Sequence, residues 1–289
     1  MKVIPASELI INADGSVFHL HLKPEQLAER VILVGDPSRV TMVASFFDTR
    51  ECEVSNREFH TVTGTYKGKR ITVVSHGIGT DNIDIVITEL DALANIDFNT
   101  REVNPEPRQL TLVRVGTSGG LQPFTPVGTY VAAVKSIGFD GVLYFYGGNE
   151  KVRDTAFEAE LMKQLDWKIP QVNPYVVTAD PTLVRQIASD DIVHGVTIAA
   201  NGFYGPQGRE LRLPLADPEL NHKVEAFTWK DYRITNFEME SSSLAGLAAL
   251  MGHRAMTVCC IIAGRVAENM NTEYKDSVRG LIEKVLDRI

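Results

Sequence analysis

The sequence has little of what marks secreted, membrane-spanning or nucleic-acid-binding proteins. It contains three cysteines, Cys52, Cys259 and Cys260, and an odd number with two adjacent residues does not suit a disulfide framework. No run approaches the roughly 18 uncharged apolar residues of a transmembrane helix. The 29 Lys and Arg are outnumbered by 37 Asp and Glu, and the net charge of −8 disfavours a nucleic-acid partner. We therefore expect a cytoplasmic protein with reduced thiols and with neither a membrane nor a nucleic-acid partner.

The amino-acid composition is that of an ordinary globular protein. Hydrophobic residues make up 44% and charged residues 23% of its 289 residues, which excludes a disordered or fibrous chain. The length suits one large α/β domain or two small ones. The polar segment Asn99–Gln109 is predicted to be a surface loop and not a linker, because strand-like sequence resumes directly after it. With no internal repeat or low-complexity tract, a single domain over residues 1–289 is expected.

Four short apolar runs each end in a Gly-bearing polar loop, as strands buried on both faces of a sheet do. The runs are 31–34, 71–74, 110–115 and 257–262, and helical spacing is found in 82–95, 155–165, 241–251 and 278–286. This alternation predicts an α/β fold, a single domain with a central mixed, largely parallel sheet flanked by helices. Ligands of such sheets bind at the carboxyl ends of the strands, so the loops after these runs are the expected site.

Two of these loops suit an anion. Gly35 opens a turn with exposed N–H groups, and Arg39 adds a bidentate donor; alone, the motif is more often a plain strand-to-helix turn. Arg114 lies inside an apolar strand directly before a Gly116-Thr117 loop, and a buried arginine needs a partner. That partner is either a bound anion, to which Thr117 would add a hydroxyl, or an internal carboxylate, and the sequence leaves both open.

Two further segments suit polar organic groups. Glu238 and Glu240 share one face of an extended segment before a small-residue helix, where they can hold vicinal hydroxyls or act as acid and base. The ordinary alternative is a carboxylate that caps the helix. Gln207 and Arg209 lie beside Phe203 in a Gly/Pro-rich loop, a set that can stack on and hydrogen-bond a planar heterocycle. Taken alone, that loop is more often simply solvent-exposed.

No metal site is expected. Residues 18–22 are predicted as a strand that puts His19 and His21 on one face, but two histidines without a neighbouring Cys or carboxylate do not make a zinc site. The segment Gly64–Arg70 resembles a phosphate-binding loop with one residue missing and is predicted to be a hairpin turn.

Together, these segments resemble the nucleoside phosphorylases of the uridine phosphorylase type. The resemblance rests on motifs in the family's order: VFHL at 17–20, GDPSR at 35–39, NREFH at 56–60, SHGIG at 75–79, VRVGTSGG at 113–120, FYGPQGR at 203–209, NFEMESSSL at 236–244 and IIAGR at 261–265. It covers most of the chain, and several joint matches are far more specific than any single one.

The resemblance implies roles for these residues. Gly35, Arg39, Arg114 and Thr117 match a phosphate site, and Arg57 matches an arginine that reaches phosphate from a neighbouring subunit. His19 matches a histidine that meets the ribose 5′-hydroxyl across the same interface, while Met239 and Glu240 match the ribose contacts. Phe203, Gln207, Arg209 and Arg265 match the base contacts. Arg114, Glu240 and Arg209 are the implied catalytic residues, no cofactor is needed because phosphate is a co-substrate, and the implied assembly is a homo-oligomer, at least a dimer.

The implied reaction is reversible phosphorolysis of uridine, with deoxyuridine as a further candidate substrate, in pyrimidine salvage. The alternatives are a purine nucleoside phosphorylase, a nucleoside hydrolase of the same fold and a catalytically silent nucleoside-binding relative. Two departures from the family pattern matter. Asn82 replaces a serine that, with a glutamate matching Glu58, holds a potassium ion in bacterial relatives, which disfavours that ion here. The long Asn99–Gln109 segment disfavours their hexameric assembly.

Overall fold

The computed structural model describes residues 3–264 and 269–289. Strands and helices alternate along this part of the chain. The strands are β1 (Arg30–Val34), β2 (Thr49–Asn56), β3 (Phe59–Tyr66), β4 (Lys69–Ser75), β5 (Ile96–Asp97), β6 (Glu102–Val103), β7 (Thr111–Gly120), β8 (Tyr130–Gly138), β9 (Tyr175–Thr178), β10 (Val193–Ala199), β11 (Thr228–Trp229), β12 (Tyr232–Glu238), β13 (Arg254–Gly264) and β14 (Asn269–Met270). The helices are α1 (Pro37–Ala44), α2 (Thr80–Asn95), α3 (Thr155–Gln164), α4 (Pro181–Ile187), α5 (Leu220–Ala226), α6 (Ser241–Leu250) and α7 (Lys275–Arg288).

The main sheet is mixed, and its centre is largely parallel. Its strand order is β11-β12-β10-β8-β13-β7-β1-β4-β3-β2. β1 pairs in parallel with both β4 and β7, β13 with β7, and β10 with both β8 and β12, while β2, β3 and β4 form antiparallel hairpins at one end. The expected mixed α/β sheet is therefore confirmed. The carboxyl ends of the parallel strands meet at one edge, where the ligand site was expected.

The sheet closes on itself at this edge. The end of β7 pairs with the end of β12 through Gly119–Phe237 and Gly120–Asn236, in addition to its pairing with β13. Residues 116–120, predicted as a loop, are therefore strand. Glycine makes this possible, because a Cβ on Gly120 would lie 2.6 Å from the Thr125 carbonyl oxygen. The ring of contacts brings the ends of β7, β12 and β10 side by side.

Three apolar clusters hold the helices on the sheet. One lies between the sheet and α1, α4 and α7, a second between the sheet and the α2–α6 pair, and a third beneath α3 and α5. Each fully buried Val, Leu or Ile in them contributes about 1.5–3 kcal/mol of hydrophobic free energy. Because α2 and α6 both begin at the edge where the strands end, their packing fixes the residues at their N-termini.

The connections agree only in part with the sequence predictions. Lys67 and Gly68, with φ of 48° and 77°, form the tight β3–β4 turn, so the predicted hairpin is confirmed. Part of Asn99–Gln109 forms the small β5–β6 hairpin. The predicted strand at residues 18–22 is wrong, since this segment is a turn. The Glu89 carboxylate accepts the backbone N–H groups of His19 and Leu20, which replaces strand pairing. No helix among the described residues is long and apolar enough to cross a membrane.

Candidate active site

A cavity of about 790 Å³ opens at the edge where the parallel strands end. Its walls come from the loops after β1, β4, β10 and β12, from the β2–β3 turn, from the ends of β7 and β13, and from the segment before α7. Nine of the twelve predicted site residues line it: Gly35, Arg39, Arg114, Thr117, Phe203, Gln207, Arg209, Met239 and Glu240. Eight separate chain segments therefore converge on one space large enough for a small organic molecule and an ion.

The β1–α1 turn supplies the first cation. Asp36 caps α1 by accepting the Ser38 N–H at 2.8 Å, which turns Arg39 of the first helical turn toward the cavity. Arg39 donates to the Val115 carbonyl at 3.4 Å, and no carboxylate of the described residues lies within 4.0 Å of its guanidinium. Burial, followed by the charge of Arg114, lowers the pKa of Arg39. Among the described residues Arg39 is therefore a cation without a directly paired carboxylate, and direct contact with an anion would stabilise its charged form.

The second cation, Arg114 on β7, is fully paired inside the protein. It is 4% exposed and forms ion pairs with Glu238, at 2.9 Å, and with Glu240. The absence of a side chain at Gly116 leaves room for it, because a Cβ there would lie 2.6 Å from Arg114 Nη1. The sequence left the partner of Arg114 open between a bound anion and an internal carboxylate, and the structure shows internal carboxylates. Arg114 nevertheless lines the cavity. Burial lowers its pKa, but the two carboxylates outweigh burial and raise the pKa above its ordinary value.

The two glutamates have different functions at the β12–α6 junction. Glu238 accepts the backbone N–H groups of Glu240 and Ser241 and the Ser241 hydroxyl, so it caps α6. Glu240 accepts the Gly79 N–H at 2.7 Å from the loop before α2. Burial raises the pKa of Glu240, opposed by the charge of Arg114. The capping alternative thus holds for Glu238, while Glu240 presents its carboxylate to the cavity.

Hydroxyl groups follow Arg114 along β7. Thr117 is half-buried and lines the cavity. Ser118 also lines it, and its buried hydroxyl has no hydrogen-bond partner among the described groups. A buried hydroxyl without a partner costs about 1–3 kcal/mol, so a ligand oxygen at this point would be stabilised.

The loop after β10 forms a third wall. Gln207 is 3% exposed, and Arg209 donates to its Oε1 at 2.6 Å. The Arg209 guanidinium lies 3.7 Å from the centre of the Phe203 ring, which is 51% exposed. Asn221 of α5 donates to the carbonyl groups of Gln207 and Gly208 at 3.3 and 3.4 Å and so fastens the loop from below. The amide, the guanidinium and the aromatic ring thus form one cluster.

Two predicted residues, His19 and Arg57, do not line the chain's own cavity. They lie together elsewhere: the Phe18 ring is 4.8 Å from the His19 ring and 5.8 Å from the Arg57 guanidinium. Asn56 joins the two segments by donating to the His19 carbonyl at 2.8 Å. His19 Nδ1 is 2.6 Å from the Glu89 carboxylate. The predicted Arg265 lies outside the described residues.

Arg57 has an unusual backbone conformation. With Glu58 it forms the two-residue turn of the β2–β3 hairpin, and its φ is 54°, in the left-handed region that favours glycine. A non-glycine residue in this region costs about 1–2 kcal/mol, and such strain is often found at functional sites. Arg57 therefore stands at a turn where stability alone would select glycine.

Sequence reasoning missed several residues of the site. His76 lies behind Arg114 with Nε2 at 3.2 Å from Arg114 Nε, and its position between an apolar run and a Gly-rich loop was the available signal. Met270 and Tyr274 line the cavity from the C-terminal segment, which carried no motif.

Asn82 donates to Glu58 Oε1 at 3.2 Å, so one oxygen of that carboxylate is engaged within the chain. The described residues contain no cluster of three or more His, Cys, Asp and Glu suited to a metal ion.

Comparison with known proteins identifies the family. The model of the phosphorylase superfamily matches residues 29–288. A uridine phosphorylase of Thermococcus kodakarensis is 30% identical over 263 residues, which cover 88% of this chain and 79% of that protein. A DeoD-type purine nucleoside phosphorylase of Geobacillus kaustophilus is 28% identical over 246 residues, or 84% of each chain.

A solved structure agrees with this result. The crystal structure of a Trypanosoma brucei nucleoside phosphorylase, described as showing uridine phosphorylase activity, superposes with a TM-score of 0.88 at 26% identity. The alignment covers 97% of this chain and 98% of that one. The protein is thus an enzyme of the pentosyltransferase class with the nucleoside phosphorylase fold, and the chain belongs to the phosphorylase superfamily.

Proposed function

We propose that this protein catalyses reversible phosphorolysis of uridine and deoxyuridine to uracil and the pentose 1-phosphate, in cytoplasmic pyrimidine salvage. The observation that carries the proposal is the order in which the candidate binding residues lie on neighbouring chain segments. The turn after β1 and the strand β7 hold Arg39 and Arg114, the β12–α6 junction holds Met239 and Glu240, and the loop after β10 holds Gln207 and Arg209. Since β1 pairs with β7, β7 with β12, and β12 with β10, these groups follow the order phosphate, ribose and base.

The chemistry follows from this order. Phosphate is the nucleophile, so no covalent protein nucleophile is needed: its oxygen bonds to C1′ as the C1′–N1 bond breaks and the electron pair passes to the base. Gly35, Arg39, Arg114 and Thr117 hold phosphate close to C1′. Glu240, with Met239, positions the ribose hydroxyls and stabilises positive charge on the sugar. Gln207 and Arg209 stabilise negative charge on the leaving uracil, and Phe203 packs beside it.

The proposed active unit is at least a dimer. His19 and Arg57 lie together but do not line the chain's own cavity, as expected for residues that complete a partner's site. In that site Arg57 would contact phosphate and His19 the ribose 5′-hydroxyl. Mixing an Arg57→Ala subunit with a Glu240→Ala subunit should restore part of the lost activity, since one site in a mixed dimer would be intact. No activity in purified mixed dimers would refute a shared site.

Purine phosphorolysis is the second candidate, since a relative named purine nucleoside phosphorylase is among the similar proteins. A neutral purine leaving group is helped by an acid that protonates N7, whereas a uracil anion needs only donors to its oxygens. Among the described residues, the cavity wall formed by the end of β13 contains Ile262 and Ala263 and no acid. A base pocket built on polar pairing discriminates by several kcal/mol, because a wrong base leaves buried groups unpaired.

One assay separates these candidates. Release of free base is measured for uridine, inosine and adenosine, each with and without inorganic phosphate. Phosphate-dependent release of uracil with the highest kcat/KM for uridine supports the proposal. Equal or better turnover of a purine nucleoside favours the purine phosphorylase, release without phosphate favours a hydrolase, and binding without turnover indicates a silent relative.

A further inference from the structure

His76 is a buried residue directly behind the cavity wall. It follows the last residue of β4, its side chain is inaccessible to solvent, and its backbone N–H donates to the Val34 carbonyl at 2.8 Å. β1 and β4 therefore fix the position of its Cα. His76 does not line the cavity, so any effect on the reaction has to pass through a neighbour.

That neighbour is Arg114. His76 Nε2 lies 3.2 Å from Arg114 Nε, and an arginine Nε is protonated throughout the working pH range. The histidine nitrogen must therefore be the acceptor, which assigns a neutral imidazole with its proton on Nδ1. Burial and the charges of Arg114 and Arg39 agree with this, because they lower the pKa of His76 well below its ordinary value.

The acceptor completes a frame around the guanidinium. Glu240 accepts from Nη2 and Cys259 Sγ accepts from Nη1 at 3.7 Å, while the Glu238 carboxylate forms an ion pair with Nη1 at 2.9 Å. His76 occupies the third side, at Nε. Three acceptors in three directions fix the plane of the group, and they use three of its five N–H hydrogens. Without His76, the buried Nε–H would have no partner, and rotation of the guanidinium toward another acceptor would be favoured.

We infer that His76 is a positioning residue, whose neutral imidazole orients Arg114 so that an N–H not taken by Glu238 or Glu240 faces the phosphate. The inference rests on the proposed phosphorolysis. It differs from a packing role in one respect: the acceptor atom at the place of Nε2 matters, and the shape of the ring does not.

Three substitutions test this difference. His76→Gln keeps an acceptor near the place of Nε2, His76→Asn carries the same amide on a shorter side chain, and His76→Met fills space without the amide. We expect Met and Asn to raise the KM for phosphate at least tenfold, about 1.4 kcal/mol, with the KM for uridine changed less than twofold. Gln should restore the KM for phosphate to within threefold of the wild-type value. Equal effects of Gln and Met, or parallel changes in both KM values, would overturn the inference.

A second comparison tests the path through Arg114. Arg114→Lys has no Nε–H, so adding His76→Met to it should change the KM for phosphate less than twofold; a tenfold further rise would contradict an effect through Arg114. Thermal melting of each variant verifies folding. If His76→Met does not fold, the Gln and Asn variants supply the same comparison, between a side-chain acceptor that reaches Arg114 Nε and one that is too short to reach it.

Calorimetry with inorganic phosphate separates this inference from the proposed function. Wild-type protein that binds no phosphate overturns both. Phosphate binding without uridine turnover overturns the proposed substrate, while His76 is still tested by the dissociation constants of its variants. Unchanged phosphate affinity in both His76→Met and His76→Asn overturns the positioning role alone.

Discussion

Replacing Arg114 should damage the fold as well as the reaction. The side chain is one cation between two buried carboxylates, Glu238 and Glu240. Arg114→Met keeps most of the volume and removes the charge, which leaves two carboxylates buried against each other. Removing one partner of a buried ion pair costs about 3–5 kcal/mol, because the remaining charge stays desolvated.

The expected loss can be expressed as a melting temperature. At about 2.1 cal/mol/K per residue, the unfolding entropy of a chain of this size is roughly 600 cal/mol/K, so 3–5 kcal/mol corresponds to about 5–8 °C. The assay is differential scanning fluorimetry at fixed scan rate and fixed protein concentration, since oligomer dissociation and irreversible unfolding both shift the midpoint. In the activity assay, loss of a charge-assisted contact to phosphate should lower kcat/KM by about 10²–10³-fold.

The pH dependence gives the sharper test. Burial raises the pKa of Glu240 in the folded protein, while the charge of Arg114 opposes this shift. Without Arg114, the pKa of Glu240 in the folded protein rises further above its pKa in the unfolded chain. A raised carboxyl pKa means that ionisation costs stability at pH values above it, and that the cost disappears as the pH falls toward the unfolded value. The difference in melting temperature between Arg114→Met and wild type should therefore be largest near pH 8 and smaller near pH 5.5.

Two variants serve as controls. Adding Glu240→Gln to Arg114→Met removes one uncompensated charge and should recover part of the lost melting temperature. Arg39→Met removes a cation that has no carboxylate within 4.0 Å among the described residues, and it should not reproduce the loss. A melting temperature equal to that of wild type at pH 8, or a difference that grows toward acid pH, would refute the ion-pair reasoning.

Three further outcomes follow from the site. Arg39→Met should raise the KM for phosphate about 10–100-fold with an unchanged or higher melting temperature, because burial disfavours its charge; a loss of 5 °C or more would contradict this. Arg57→Gly should be about 1 kcal/mol more stable than Arg57→Ala in urea unfolding, since glycine adopts a φ of 54° without strain; equal stability would refute the strain. Both variants should have a higher KM for phosphate than the wild type. Asn221→Ala should raise the KM for uridine at least fivefold, about 1 kcal/mol, and that for phosphate less than twofold, because the base loop loses two hydrogen bonds; the reverse pattern in initial rates would exclude this role.

The alternation of apolar runs and helical segments was enough to predict the fold class. It could not predict the length of β7, because Gly116–Gly120 has the composition of a loop. Those glycines are strand here because β12 and β13 approach them from two sides, and a pattern local in sequence cannot register partners more than a hundred residues away. The turn at residues 18–22 was missed for the same reason, since the carboxylate that forms it belongs to Glu89.

The site residues were easier to predict than their pairings. Nine of the twelve lie around one cavity, because the carboxyl ends of parallel strands lie at the same edge of a sheet, whatever the order of the strands. Sequence left the partner of Arg114 open between an anion and a carboxylate, and the structure shows two carboxylates.

This pairing changes how the phosphate end of the cavity is to be understood. Two buried glutamates against Arg114 leave that cluster with one excess negative charge, which repels an anion. Among the described residues that line the cavity, three arginines face four carboxylates, so these residues offer phosphate no net positive charge: Arg39, Arg114 and Arg209 against Asp36, Glu58, Glu238 and Glu240. A further cation is needed for strong attraction, and Arg57 lies outside the chain's own cavity, at a turn whose strained φ of 54° disfavours any residue but glycine. The charge balance of the described residues thus supports the proposal that a second subunit completes the site.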